Sequence, residues 1–212
     1  MRIFLVRHGQ PVQHSGKIFL GQADVRLSEQ GKAEAAAAGD ELLSLGARPE
    51  CIYTSDLLRA KETADIIAER LGGLPVVPDI LFREMAMGTW DGELIEDIKA
   101  KFPEEYERRG DDPRNYRTPG GENFYDLRGR VLREFHRIFE EMKPKELSTC
   151  PGGATDLVIV AHLGVIVALS EEIMGEAEGN VSYNFPTGSV TVYYAPEWLE
   201  ATPSLRAERS NP

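Results

Sequence analysis

The apolar positions of this chain fall into runs and stripes whose spacing predicts strands alternating with helices. Ile3-Phe4-Leu5-Val6 and Leu157-Val158-Ile159-Val160-Ala161 are unbroken hydrophobic runs. With no polar face left for solvent, each reads as a strand buried on both sides, as in the middle of a parallel sheet. Shorter strands are expected at Cys51-Ile52-Tyr53-Thr54 and at Pro75-Val76-Val77-Pro78, the second confined by prolines at both ends. A last strand reads over 189–194. Between the strands the apolar spacing changes to three and four. An alanine-rich helix over 32–45 has Ser28 to cap it and Gly46 to stop it. The next helix has Ser55 as its cap, Leu57, Leu58, Ala64, Ile67, Ala68 and Leu71 on its buried face, and Gly72-Gly73 at its end. The clearest stripe, Phe124, Leu127, Val131, Phe135, Ile138 and Met142, predicts a long helix after the turn at Pro119-Gly120-Gly121. Behind His162-Leu163-Gly164 an apolar helix runs through about Met174.

This alternation implies an α/β fold, a three-layer α/β/α sandwich with a mostly parallel central sheet. Residues 10–27 keep no sustained period and read as a loop beside the strand ends. Residues of about 80–120 read as an excursion covering the site, with short helical patterns at 93–102 and 104–109. The stretch 144–155 is a polar connection, and 196–212 a loosely held tail. At 212 residues, 1–212 is expected to form one domain with an elaborate insertion.

Composition narrows the choice of partner. No apolar stretch approaches the roughly 20 residues of a membrane span, and Met1-Arg2 leads into a strand, so a cytoplasmic protein is expected. Cys51 and Cys150 lack metal-ligand spacing and read as two reduced thiols. A net charge of −11 argues against nucleic acid or an anionic membrane as partner. A small anionic substrate would need a compact cluster of arginines.

Such a cluster is in view. Both buried strands end in histidine, His8 (after Arg7 and before Gly9) and His162, and in open α/β sheets ligands bind at that end. Gly9 would let the backbone come close to a bound group. Arg59, in the first turn of the second helix, points to the same edge. Glu84 lies among Phe82, Met85, Met87 and Trp90, an apolar setting that favours a protonated acid. Arginine forks match phosphate oxygens, imidazoles serve as nucleophile and donor, and a carboxylic acid can protonate a leaving alkoxide. Two rival readings exist. His8, His162 and Glu84 are also a familiar zinc set, though Arg7 and Arg59 would repel the cation. Glu84 could instead be an exposed loop acid paired with Arg83. His136 reads as a flank residue of the long helix.

The stretches Leu5-Val6-Arg7-His8-Gly9-Gln10, Leu27-Ser28-Glu29-Gln30-Gly31, Tyr53-Thr54-Ser55-Asp56-Leu57-Leu58-Arg59-Ala60-Lys61-Glu62-Thr63-Ala64, Gly88-Thr89-Trp90-Asp91-Gly92, Pro119-Gly120-Gly121-Glu122-Asn123 and Val160-Ala161-His162 share one further property. In order and spacing they resemble the histidine phosphatase superfamily, which includes cofactor-dependent phosphoglycerate mutase, over nearly the whole chain. The resemblance implies that His8 takes the phosphoryl group, that Arg7, Arg59 and a cationic His162 form the phosphate pocket, and that Glu84 donates the proton. It implies no metal and no cofactor. The expected substrate is a small phosphorylated metabolite, and the reading is compatible with a homodimer.

The chain departs from the family pattern at three places. His14 stands where many members carry a phosphate-binding asparagine, Leu163 where glycine is common, and Gln10 where glutamate is frequent. Residues 93–118 are short and acidic on balance, and Pro119-Gly120-Gly121-Glu122 resembles the phosphatase branch. Hydrolysis is therefore expected, with mutase-type transfer and a non-catalytic phosphate-binding protein as alternatives. The stretch from Phe19 to Ser28 looks like that of α-ribazole phosphatases and makes Gln22 a candidate substrate contact, alongside His14 and Leu163.

Overall fold

A computed structural model of the chain describes residues 1–12, 16–142, 156–175 and 184–196. Its strands β1 (Arg2–Arg7), β2 (Ile52–Ser55), β3 (Val76–Asp79), β4 (Leu157–Ala161) and β5 (Val190–Tyr194) form one sheet in the order β3-β2-β4-β1-β5. Only β5, antiparallel to β1, departs from parallel pairing. The two unbroken apolar runs are the central strands β1 and β4. Alternation along them supplies both faces of the sheet. Ile3, Leu5, Leu157 and Ile159 turn to one core, against helices α5 (Phe124–Met142) and α6 (Leu163–Met174). Phe4, Val6, Val158 and Val160 turn to the other, against α1 (Glu29–Ser44) and α2 (Leu58–Arg70). This is the three-layer sandwich that the pattern implies.

Ser28 caps α1 as expected, its Oγ accepting the Gly31 N–H at 3.0 Å. Ser55 does not cap α2. It closes β2, and its Oγ accepts the N–H of Leu57, which occupies the cap position without a side-chain bond of its own. Pro78 does not end β3 but sits within it, opposite Thr54. The strand lies at the sheet edge, where a missing N–H costs no ladder bond.

The excursion contains α3 (Ile95–Lys101) and α4 (Pro103–Asp111). A separate small core of Met87, Trp90 and Ile98, flanked by Phe19, Tyr106 and Tyr116, holds it together. Among the described residues no helix is long and apolar enough to cross a membrane. Cys51 is a free, half-buried thiol. Cys150, the 144–155 connection and all of the expected tail but Pro196 lie outside the described residues.

Candidate active site

The register of two strands brings the histidines together. Arg7 of β1 lies opposite Ala161 of β4, so His8 and His162 leave the sheet side by side. The His8 N–H donates to the Ala161 carbonyl at 2.9 Å, and the two rings stand 5.1 Å apart, centroid to centroid.

His8 is buried, and its Nδ1 lies 2.7 Å from the Gly9 carbonyl oxygen. A carbonyl can only accept, so Nδ1 carries the proton and Nε2 keeps its lone pair. Burial first, and then the Arg59 and Arg7 charges, push the His8 imidazolium down to about 3. At neutral pH the ring is a neutral base. His162 is fully buried, and among the described residues neither ring nitrogen has a hydrogen-bond partner. Burial, the nearby Arg59 and His8 hold it well below the ordinary imidazole range. The resemblance implies a cationic His162, whereas burial here favours the neutral ring. His162 is not among the residues that line the cavity, and its ring packs against that of His8, which is.

The buried histidines make stability depend on pH. An unfolded histidine takes up a proton near 6.5, whereas the folded His8 waits until about 3. Between these values the unfolded state binds more protons, so the His8 contribution lowers stability as pH falls below about 6.5. The expected result is a Tm that drops on acidification from pH 7 to 4, and drops less in His8→Asn, measured by scanning calorimetry.

Two arginines complete the edge. Arg59 is fully buried in the first turn of α2, with Nη1 and Nη2 donating to the carbonyls of Ala23 and Gly21 at 2.8 and 2.7 Å. Burial pushes its guanidinium down to about 10, against the pull of Glu84, Asp24 and Asp91. Arg7 donates to the Phe185 carbonyl. The Nε of each is buried without a hydrogen-bond partner among the described residues. No carboxylate among the described residues pairs with either arginine, whereas Arg2, Arg26, Arg70, Arg83, Arg128 and Arg130 each hold one. The site therefore carries positive charge in a strongly acidic protein.

Glu84 joins the edge from the irregular segment after β3. Its Oε1 accepts the Met85 N–H at 2.9 Å and its Oε2 the Gly164 N–H at 3.2 Å. This corrects the apolar cage expected around it. Phe82 and Trp90 turn into the cores, Met85 and Met87 line the cavity, and two backbone donors orient the carboxyl. Arg83 does not pair with Glu84; it holds Asp56 through two bonds of 2.7 and 2.6 Å.

These groups open on a cavity of about 730 Å³ whose walls include Arg7, His8, Arg59, Glu84 and Leu163. Gln22 is not on the wall. Its Nε2 donates to the Glu84 carbonyl at 3.0 Å and its N–H to Asp91 at 2.8 Å, so it braces the acid's loop. His14 lies outside the described residues. Gly9 makes a close approach to another backbone: a Cβ there would stand 2.2 Å from the Gly31 carbonyl oxygen. His136 flanks α5 and meets Glu172 at 2.9 Å. Among the described residues no three His, Cys, Asp or Glu side chains gather closely enough to hold a metal ion.

Sequence reasoning missed three contributors. Gly164 sits where a Cβ would stand 2.5 Å from Glu84 Oε1. Glu122 and Arg130 grip the loop behind Glu84. Glu122 was visible as part of a motif, whereas nothing in the spacing of α5 distinguishes Arg130 from its exposed neighbours.

Sheet order, paired imidazoles and unneutralised arginines together define a class: α/β proteins that gather cationic groups at the carboxyl ends of parallel strands to receive an oxyanion. The sequence places the chain within that class. The histidine phosphatase superfamily (branch 1) matches residues 3–199, and the chain belongs to this family. It is 33% identical over 174 residues to the glucosyl-3-phosphoglycerate phosphatase of Mycolicibacterium vanbaalenii, covering 82% of this chain and 74% of that protein. It is 32% identical over 196 residues to the 2,3-bisphosphoglycerate-dependent phosphoglycerate mutase of Azorhizobium caulinodans, covering 90% of each. Among solved structures, a mycobacterial glucosyl-3-phosphoglycerate phosphatase complexed with inorganic phosphate superposes with a TM-score of 0.73 at 31% identity, covering 94% of this chain and 91% of that one.

Proposed function

We propose that the protein is a metal-independent phosphomonoesterase that hydrolyses a small phosphorylated metabolite through a phosphohistidine on His8. One observation carries the reading: His8 is buried and neutral, with the lone pair on Nε2, between two arginines that no described carboxylate neutralises.

In the first step Nε2 of His8 attacks phosphorus, the bond from phosphorus to the ester oxygen breaks, and Glu84 gives its proton to the departing alcohol. In the second, the Glu84 carboxylate takes a proton from water, the water oxygen bonds to phosphorus, and the phosphorus–nitrogen bond breaks. Phosphate leaves, and both residues return to their starting states. Arg7 and Arg59 offset the charge on the equatorial oxygens, the largest demand that phosphoryl transfer makes of a protein. His162, neutral and packed against the His8 ring, still carries one N–H and is the donor that lies next to the attacking group.

The test is hydrolysis of p-nitrophenyl phosphate in excess EDTA. Phosphate release that withstands the chelator is expected; release that stops and returns only with added divalent metal would overturn the reading. With 3-phosphoglycerate and 2,3-bisphosphoglycerate supplied together, free phosphate should accumulate faster than the glycerates interconvert.

A third arginine in the cavity favours a substrate with a second anionic group. Arg109 of α4 lines the same cavity, half-buried over the Phe19 ring at 5.1 Å, with no carboxylate partner among the described residues. Two of the relatives carry phosphoglycerate in their names, and a glycerate leaving group presents a carboxylate. A charge-assisted hydrogen bond is worth ~1.5–3 kcal/mol. Arg109→Ala is therefore expected to raise KM about 10-fold or more for carboxylate-bearing phosphomonoesters and to leave p-nitrophenyl phosphate nearly unchanged.

A further inference from the structure

Glu84 belongs to a segment, residues 83–87, with no regular secondary structure. Proton transfer to a leaving oxygen nevertheless demands placement to a fraction of an ångström. The structure shows what supplies it. Arg130, on helix α5, spends all five of its N–H donors on this segment, on the turn just before it and on one carboxylate. Nη1 donates to the carbonyls of Leu81 and Arg83, each at 2.7 Å, and Nη2 to that of Glu84 at 2.9 Å. The remaining two donors meet Glu122 Oε1 and Oε2, each at 2.8 Å. Glu122 then grips the segment beyond Glu84. Its Oε2 accepts the Ala86 N–H at 3.0 Å, and its own N–H donates to the Ala86 carbonyl at 2.8 Å. The backbone is thus held on both sides of Glu84 by one guanidinium–carboxylate pair, mostly buried and absent from the cavity wall.

We propose that Arg130 and Glu122 are positioning residues for proton donation: they fix the segment so that the Glu84 carboxyl meets the leaving-group oxygen. This rests on the reading of Glu84 as the proton donor. Lysine cannot replace Arg130, because one ammonium on a flexible stem cannot span three carbonyls and a bidentate carboxylate.

Leaving-group dependence tests the proposal, since p-nitrophenolate departs without a proton and an alkoxide does not. The kcat/KM of Arg130→Lys, which reports the steps up to departure of the alcohol and not the later attack of water that Glu84 also serves, is measured on p-nitrophenyl phosphate and on glycerol 2-phosphate, with competitive inhibition by inorganic phosphate showing that the His8 pocket is intact. The expected result is a loss of about 10- to 100-fold on glycerol 2-phosphate and less than about 3-fold on p-nitrophenyl phosphate, with phosphate inhibition unchanged. Glu84→Gln should show the same selectivity more strongly. Selective loss in Glu84→Gln with an equal loss on both substrates, or no loss, in Arg130→Lys would overturn the clamp alone. Equal loss on both substrates in Glu84→Gln would overturn the role of Glu84 and the clamp with it. If Arg130→Lys no longer binds phosphate, Glu122→Gln, which keeps the arginine, is read by the same criteria.

Discussion

Replacing His8 with alanine should lower kcat by at least ~10⁴-fold on every phosphomonoester, since water alone must then attack phosphorus in a pocket built around an imidazole. Binding should suffer far less, because Arg7 and Arg59 remain. The ring contributes no positive charge to the phosphate: burial and those same arginines hold it neutral. The account therefore expects a KM within several-fold of wild type and retained inhibition by inorganic phosphate. Steady-state phosphate release measures the first, and inhibition constants the second. His8→Asn, closer in shape, should behave alike. A variant that kept a tenth of the wild-type rate would show that His8 is not the attacking group.

Arg59→Met carries the second large effect, for a different reason. Arg59 is fully buried, and among the described residues its Nη groups bond to carbonyls alone and its Nε has no partner. A guanidinium without a carboxylate in that setting is costly to the folded protein, and a phosphoryl dianion is the group that would offset it. Removing an arginine that neutralises the transferring group typically costs ~10³–10⁵-fold in rate, and kcat/KM of Arg59→Met should fall in that range. Two further readouts follow. Saturating phosphate should raise the wild-type Tm, by ~2.7 kcal/mol of added stability at 100 times Kd, and should barely move that of the variant. The His8 ring should also titrate closer to the ordinary imidazole range once the Arg59 charge is gone, as followed by NMR.

The sequence made the central architecture legible because β1 and β4 are packed on both faces. Only that arrangement forces unbroken runs such as Ile3–Val6, and the histidine after each run follows the strand to the sheet's carboxyl end. The His8–His162 pairing could therefore be anticipated, although the register of Arg7 on Ala161 that makes the rings neighbours could not. What escaped depends on neighbours remote in sequence. The charge of His162 is set by burial and by Arg59, which no local pattern reports. Gln22 is drawn to a backbone carbonyl and away from the cavity. Arg130 sits one residue before Val131 of the apolar stripe, and its inward turn answers open carbonyls 46 to 49 positions earlier, in and beside an irregular segment. Pro78 reads as a strand end until the strand is known to lie at the sheet edge.

The central claim is a covalent bond between phosphorus and His8. Rapid acid-free quenching of enzyme mixed with a ³²P-labelled phosphomonoester, followed by peptide mapping, tests it most directly. The account predicts label that is stable in base, labile in acid, carried on the peptide that contains His8, and absent from His8→Asn. An active enzyme that shows no such label at any time, and that inverts a phosphorus centre made chiral with oxygen isotopes, would contradict it.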